Sequence, residues 1–199
     1  MSKKSQKSTK KLSPKIIEKK PEIQTEKIKK TKIRVIGIGG GAGAIVSEIA
    51  LRVKKATFVV ANTDRKALKL TSRKVIRFPF GQNLTRGLGT GMNAELGQEA
   101  ALIEKDKIKK LLEGQDLSIF VTSLGGGAGS GAVPIFAKIA KKEGCLTYGI
   151  FTLPFRFEGE KKMEIAKESL KKVKNYLNAF SVIPNEKVLS FSTDLTKLL

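Results

Sequence analysis

The chain has 199 residues, the length of one ordinary domain or slightly more, and 40% of them are hydrophobic, which is enough to form a core. It contains no histidine, which excludes Ser-His-Asp and Cys-His nucleophile systems and every zinc site built on imidazole. The single cysteine, Cys145, excludes an internal disulfide and favours a reducing cytoplasm, while the net charge of +21 allows nucleic acid, anionic membrane or polyphosphate as partners.

Residues 1–32 are predicted to form a disordered basic tail. This segment contains twelve lysines and three glutamates but no aromatic residue, so it buries too little apolar surface to offset the entropy cost of ordering. Two uses of the tail are open: a solvated, solubilising segment, or contact with anionic membrane, nucleic acid or another protein. Residues 33–199 are predicted to form the folded domain.

Apolar strands alternate with helices from residue 32 onward. Strands are predicted at 32–38, 57–62, 74–79, 116–123 and 145–154. Helices are predicted at 44–53, 93–114, 133–144 and 160–180. Strands that are apolar throughout and alternate with helices are typical of a parallel sheet covered on both faces. The sequence therefore predicts an α/β fold, a Rossmann-like parallel sheet with helices on both faces.

Three glycine-rich loops, at 37–44, 87–91 and 125–131, lie at what we expect to be one edge of this sheet. Ligands of parallel sheets bind outside the carboxyl ends of the strands, so we expect the loops to form one site. A glycine loop entering a helix presents free backbone N–H groups at the positive end of the helix dipole, which suits phosphate. Because Ala132 and Val133 follow the last loop in place of Lys-Ser or Lys-Thr, we predict a phosphate site made of backbone rather than a Walker motif.

A dinucleotide-binding alternative rests on the first of these loops. Gly37, Gly39 and Ala42 fit the spacing G-x-G-x-x-A, and Asp64 ends the next strand, where a ribose-binding acid would stand. That pattern is typical of an NAD(P)-binding oxidoreductase domain. Three convergent loops, however, suit a triphosphate better than a pyrophosphate, and the chain offers no obvious acid-base partner.

Six segments resemble, in the same order, the nucleotide-binding motifs of the tubulin/FtsZ family. They are VIGIGGGAG (35–43), ANTD (61–64), TRGLGTGMNAELG (85–97), GGGAGSGAVP (125–134), TLPFRFEGEKK (152–162) and IPNEKVL (183–189). The resemblance implies a cytoplasmic, tubulin-like GTPase that acts in cell division at the division site. It also implies GTP or GDP as ligand, Mg²⁺ as cofactor, self-assembly into the filaments of the cytokinetic ring, and division-ring proteins as partners.

The resemblance assigns the nucleotide-binding residues one by one. Those that match phosphate contacts are Gly39, Gly40, Gly41, Gly43, Gly89, Gly91, Gly126, Gly127, Gly129, Ser130 and Gly131. Asn62 and Asp64 match the loop near the metal and the γ-phosphate. Glu158 matches the carboxylate that binds the ribose hydroxyls, and Asn185 matches the amide that faces the base. No metal ligand is assigned beyond these.

The sequence departs from the family pattern at three motif positions. Ala128 stands where the signature has Thr, Ala44 stands where Asn is usual, and Lys162, also assigned to the nucleotide site, stands where Arg is common. The sequence also ends at Leu199, before the second domain, which by resemblance supplies catalytic acids to the neighbouring subunit. We therefore expect no catalytic residue within this chain, and a non-hydrolysing nucleotide-binding regulatory module is a further alternative.

Overall fold

Six parallel strands form one sheet in the computed structural model, which describes residues 30–191, with side chains as far as residue 188. The strands are β1 (Ile33–Ile38), β2 (Thr57–Asn62), β3 (Ile76–Pro79), β4 (Leu117–Ser123), β5 (Leu146–Leu153) and β6 (Ala179–Pro184). Their order across the sheet is β3-β2-β1-β4-β5-β6, and every neighbouring pair is parallel. In this register Val35 of β1 lies between Phe58 of β2 and Ile119 of β4.

Helices connect the strands and cover the sheet. They are α1 (Gly40–Arg52), α2 (Arg65–Lys69), α3 (Gln82–Thr85), α4 (Ala94–Ile103), α5 (Lys105–Leu112), α6 (Gly127–Lys142), α7 (Glu160–Val173) and α8 (Asn185–Phe191). Successive residues of a strand face opposite sides of a sheet, so Val35 packs in one core with Val46 of α1 while Ile36 packs in a second core with Phe136 of α6. Helices therefore cover both faces, which confirms the predicted fold class.

The strand order reverses between β1 and β4. The chain moves from β1 outward through β2 to β3, and then returns to place β4 on the other side of β1. The connections that leave β1 and β4 therefore diverge to opposite faces, α1 to one and α6 to the other. Such a switch point leaves a crevice at the carboxyl ends of the two strands, where open α/β sheets bind their ligands.

Several element boundaries differ from those that the sequence predicts. α1 begins at Gly40 and α6 at Gly127, so both helices start inside segments predicted as loops. The helix predicted at 93–114 is divided at Glu104 into α4 and α5. Glycine is unfavourable in a helix interior, but the N–H groups of a first turn have no partner within the helix in any case. Packing against neighbouring backbone therefore decides where these helices begin.

The sequence prediction missed β6 because it extended the preceding helix too far. The apolar stripe of the helix predicted at 160–180 includes Leu177, but α7 ends at Val173 and a short 3₁₀ turn follows. Leu177 still packs against the core, which explains why it fits the helical spacing. The Asn178 Oδ1 accepts hydrogen bonds from Thr147 N and Oγ1, both at 2.9 Å, and so aligns the start of β6 with β5. Residues 1–29 of the predicted tail lie outside the described residues.

Candidate functional site

A cleft of about 480 Å³ lies at the carboxyl ends of the central strands. Most residues that the sequence assigned to the nucleotide site line it, namely Gly39, Gly40, Gly41, Asn62, Asp64, Gly89, Gly91, Gly126, Gly127, Gly129, Glu158 and Lys162. The structure thus brings together all three predicted glycine loops, the end of β2 and the start of α7. Residues that the prediction missed also line the cleft: Thr63, Ala67, Leu88, Thr90, Ser123, Leu124, Gly125 and Ala128.

The first glycine loop brings the start of α1 against the start of α6. Gly39 has a φ of +91°, and its N–H donates to the Ala61 carbonyl at 2.9 Å, which holds the loop against β2. A Cβ on Gly39 would lie 3.2 Å from the Gly129 Cα, and one on Gly41 would lie 2.7 Å from the Ser123 Oγ. The two helix ends approach this closely because the loop carries no side chains at these positions.

Both helix N-termini present unpaired amides. Within the described part of the chain, the N–H groups of Gly40 and Gly41 in α1 and of Ala128 and Gly129 in α6 have no hydrogen-bond acceptor. Neither helix has a side-chain N-cap or an acidic residue in its first turn. Unpaired amides and the positive ends of two helix dipoles therefore converge at one place, which attracts a polyanion such as a phosphate chain.

The loop before α4 is fixed to the start of α6. The Gly91 carbonyl accepts a hydrogen bond from the Gly127 N–H at 2.8 Å. A Cβ on Gly127 would clash with the Thr90 Oγ1, so this glycine makes room for the threonine side chain. The third predicted loop therefore forms a wall of the cleft instead of a separate turn.

Asn62 and Asp64 shape the backbone beside this loop. The Asn62 Oδ1 accepts a hydrogen bond from the Asp64 N–H at 3.2 Å, and Asn62 is buried. The Asp64 Oδ1 caps α2 by accepting hydrogen bonds from the N–H groups of Lys66 at 2.7 Å and Ala67 at 3.0 Å. Asp64 also pairs with Leu88 as an isolated bridge and lines the cleft, and helix capping engages only its Oδ1.

Glu158 and Lys162 form an ion pair on the opposite side of the cleft. The Glu158 Oε2 accepts a hydrogen bond from the Lys162 Nζ at 2.9 Å, and its Oε1 accepts one from the Phe155 N–H at 2.8 Å. Partial burial disfavours the charged carboxylate, but the two hydrogen bonds and the lysine charge outweigh that effect and lower the pKa of Glu158. Glu158 is therefore an ionised, oriented acceptor at neutral pH.

Three residues assigned to the phosphate site support the cleft from behind and do not line it. The Ser130 Oγ accepts a hydrogen bond from the Gly125 N–H at 2.9 Å and so fixes the loop that precedes α6. A Cβ on Gly131 would clash with the Ala94 carbonyl, so Gly131 allows α4 to pack on α6. Gly43 plays the same part between α1 and β2, since a Cβ there would lie 3.2 Å from the Val60 Cγ1.

Asn185 lies at the same edge of the sheet but outside the cleft lining. It is the first residue of α8 and directly follows β6, two strands away from β4. Neighbouring strands are about 4.8 Å apart, so Asn185 is displaced sideways from the end of β4 by roughly 10 Å. The structure thus places Asn185 beyond Glu158 in a row that starts at the glycine loops.

Residues 30–191 contain neither a preformed metal site nor a membrane-spanning helix. No group of three or more His, Cys, Asp and Glu side chains in residues 30–191 is arranged to hold a metal ion. The described helices are all too short or too polar to cross a bilayer. A divalent cation at this site would therefore need oxygen ligands from a bound phosphate chain beside the Asp64 carboxylate.

Comparisons with known proteins agree with this geometry. The family model described as Tubulin/FtsZ family, GTPase domain, matches residues 32–193. The cell division protein FtsZ of Coxiella burnetii is 44% identical over 160 residues, which cover 80% of this chain and 41% of that protein. The chain therefore spans about two fifths of the length of this curated relative.

Solved structures of the same family superpose on the chain. An empty FtsZ dimer from M. jannaschii has a TM-score of 0.80 and 37% identity, covering 85% of this chain and 50% of that one. CetZ2 from Haloferax volcanii, solved as a GTPγS-bound protofilament, has a TM-score of 0.74 and 26% identity, covering 84% and 53%. The sheet order, the convergent glycine loops and these matches together show that the chain belongs to the tubulin/FtsZ family through its GTPase domain.

Proposed function

We propose that this chain is the GTP-binding domain of a tubulin-like cell division protein that assembles into cytokinetic filaments and hydrolyses GTP where subunits meet. The observation that carries the proposal is the convergence of the unpaired N-termini of α1 and α6 at the switch point of the sheet. The names of its relatives support the biological part, since one is a cell division protein and another was solved with GTPγS in a protofilament.

The phosphate chain binds between the two helix ends. The amides of Gly40, Gly41, Ala128 and Gly129 donate to its oxygens, and the helix dipoles stabilise its negative charge. The glycines at this place let the ligand approach the backbone, because Gly40 and Gly126 have no neighbouring atom within 4 Å of a Cβ position. A triphosphate uses both helix ends, whereas a single phosphate would use one.

The ribose and the base extend from the phosphates along the edge of the sheet. Glu158 follows β5 and Asn185 follows β6, so a carboxylate and then an amide lie at increasing distance from the glycine loops. A carboxylate acceptor suits the two ribose hydroxyls, and the amide of Asn185 offers both a donor and an acceptor to a guanine edge. Lys162 stays paired with Glu158 and adds a positive charge near the phosphates.

Asp64 is the residue that would hold Mg²⁺ beside the nucleotide, through the carboxylate oxygen that does not cap α2. Magnesium binds through one or two carboxylates plus phosphate oxygens and keeps several waters, so it needs no all-protein cage. Asp64 fits this requirement because helix capping engages only its Oδ1. The metal, when bound, neutralises charge on the terminal phosphates.

The residues that activate the attacking water come from a neighbouring subunit. The acidic residues of the described cleft are Asp64 and Glu158, and both are engaged, Asp64 in a helix cap and Glu158 with Lys162 and the Phe155 amide. We assign the remaining Asp64 oxygen to Mg²⁺ and Glu158 to the ribose, so this chain binds and orients GTP while self-assembly completes the site. Further partners are division-ring proteins at the division site. The basic tail is either a solvated segment or a contact for anionic membrane or nucleic acid.

Calorimetric titration with GTP, GDP, ATP and NAD in Mg²⁺ buffer tests the proposal. GTP and GDP are expected to bind about tenfold tighter than ATP, since one mismatched hydrogen-bonding group costs about 1–3 kcal/mol. Asn185→Ala should abolish that preference. Asn175→Ala is a matched control, because the described contact of this exposed residue is made by its backbone carbonyl. Equal or tighter binding of ATP would contradict guanine specificity. Preferential binding of NAD would favour the oxidoreductase alternative, which the comparisons with known proteins do not support.

A further inference from the structure

One hydroxyl in the cleft has no partner in the described structure. Thr90 lies between Gly89 and Gly91 in the loop before α4, and it is only 8% exposed. Its Oγ1 is buried and makes no hydrogen bond with any described group. A buried hydroxyl without a partner destabilises a folded protein, so threonine is unfavourable at this position unless another group pairs with it.

The surroundings of Thr90 place this hydroxyl at the anion-binding end of α6. Gly127, the first residue of α6, is bonded through its N–H to the Gly91 carbonyl at 2.8 Å, which fixes the loop to the helix end. The absence of a Cβ on Gly127 leaves the space that the Thr90 Oγ1 occupies. Thr90 also lines the cleft together with Ala128, whose amide is unpaired.

We infer that Thr90 is a nucleotide-positioning residue whose hydroxyl donates a hydrogen bond to a phosphate oxygen of the bound ligand. This inference rests on the proposed function, because it needs a phosphate chain in the cleft. It also accounts for Ala128, which stands where the family signature has a threonine hydroxyl. The hydroxyl lost at the start of α6 is supplied in this chain from the facing loop, by Thr90.

Thr90→Val tests the inference because valine keeps the shape of threonine and removes only the hydroxyl. In the empty protein the hydroxyl has no partner, so the thermal midpoint of Thr90→Val should equal or exceed that of the wild type. The dissociation constant for GTP should rise about tenfold, whereas Thr90→Ser, which retains a hydroxyl, should stay within about twofold of the wild type.

Thr122→Val is the matched control for this variant. The Thr122 Oγ1 is also buried without a partner, but Thr122 lies on β4 and does not line the cleft. Thr122→Val should therefore leave GTP affinity unchanged. In the Thr90→Val background, Ala128→Thr restores a hydroxyl at the start of α6, and we expect it to recover most of the lost affinity.

Two results would overturn the inference by itself. The first is that Thr90→Val binds GTP as tightly as the wild type. The second is that Thr90→Val lowers the thermal midpoint of the empty protein whereas Thr90→Ser leaves it unchanged, which would show that the hydroxyl makes a structural hydrogen bond. Failure of the wild-type protein to bind any nucleotide would instead overturn the proposed function and this inference together. The wild-type titration therefore separates the two failures.

Discussion

At the scale of single residues, the glycines of the cleft fall into two groups. Gly39 and Gly41 must lack a side chain because neighbouring protein atoms would meet it, Gly129 for the first and the Ser123 Oγ for the second. Gly40 has no protein atom within 4 Å of its Cβ position, yet it lines the cleft. Packing explains the first group, whereas the proposed approach of a phosphate chain accounts for Gly40.

Gly40→Ala should separate folding from binding. Alanine favours a helix over glycine by up to about 1 kcal/mol, so the empty variant should be as stable as the wild type or slightly more stable. A methyl group in the phosphate path should raise the dissociation constant for GTP at least tenfold. Gly41→Ala, which meets the Ser123 Oγ, should instead lower the urea midpoint of the empty protein. Unaltered GTP binding by Gly40→Ala would contradict the placement of the phosphates.

Glu158→Gln should change the pH dependence of stability. The pKa of Glu158 is lower in the folded chain than in the unfolded one, so its ion pair stabilises the fold above pH 4–5, near the unfolded pKa of about 4.3. That stabilisation is lost as the pH falls through the folded pKa. Both side chains are partly exposed, so the effect should stay below about 1 kcal/mol. Thermal midpoints from pH 3 to pH 7 test this, and a wild-type advantage that persists unchanged at pH 3 would contradict it.

The sequence predicted the glycines of the cleft better than it predicted the roles of the hydroxyl side chains. Glycine loops at strand ends are visible in a sequence, and Gly40, Gly91 and Gly126 line the cleft as expected. Thr90 was missed because a hydroxyl in a glycine loop is informative only once its lack of a partner is known. Ser130 was assigned to phosphate, but its Oγ fixes the Gly125 amide, a contact that depends on the curvature of the loop.

At the scale of elements, a hydrogen bond joins α6 and α7 at a carbonyl that a proline leaves without its helical partner. Pro134 lies inside α6 and has no N–H, so it cannot bond to the Ser130 carbonyl one turn earlier. The buried Ser169 of α7 donates its hydroxyl to that carbonyl at 2.6 Å. Because Ser130 also holds the Gly125 amide, this contact supports the loop that leads into the phosphate site.

A double-mutant cycle on Pro134 and Ser169 tests this connection. Ser169→Ala should destabilise the empty protein by about 1–2 kcal/mol, since it leaves a buried carbonyl without a donor. In the Pro134→Ala background the restored N–H can pair with Ser130, so the same substitution should cost much less. Lys167→Ala, at an exposed position of α7, is the control. Additive effects in urea denaturation would show that the two residues act independently.

Element starts were harder to predict than element types. The strands β1, β2, β4 and β5 lie where their apolar runs predict them, because a strand buried on both faces is apolar throughout. Both site helices begin earlier than predicted, inside glycine segments that intrinsic propensity disfavours. Close packing accounts for the early start of α6, since Gly131 and Gly97 let the backbones of α4 and α6 approach each other directly. Such contacts between distant segments cannot be seen in one sequence.

At the scale of the whole molecule, the order of the strands in the sheet determines which residues meet at the site. Two of the glycine loops follow β1 and β4, Glu158 follows β5 and Asn185 follows β6. One edge of the sheet therefore carries, in spatial order, the groups that we propose for phosphate, ribose and base. Residues far apart in sequence become neighbours because the strands are parallel. The motif order in the sequence made this arrangement predictable, although the position of β6 was not.

Removal of residues 1–29 should leave nucleotide binding intact. The described residues that line the cleft begin at Gly39, so the truncated chain should bind GTP within about twofold of the full chain. Binding of the full chain to anionic vesicles or DNA, if it occurs through the lysines of this segment, should weaken steeply as salt rises. A large loss of GTP affinity on truncation would contradict the assignment of binding to the folded domain.

The central claim is that the phosphates of GTP bind between the N-termini of α1 and α6. An amide NMR titration of the ¹⁵N-labelled chain with GTP and Mg²⁺ tests it most directly, because it reports on the donors themselves. The account predicts saturable shifts that are largest for the amides of Gly40, Gly41, Ala128 and Gly129. The amides of α5, at Lys105–Leu112, should not move. Shifts centred on another surface, with those four amides unchanged, would contradict the account.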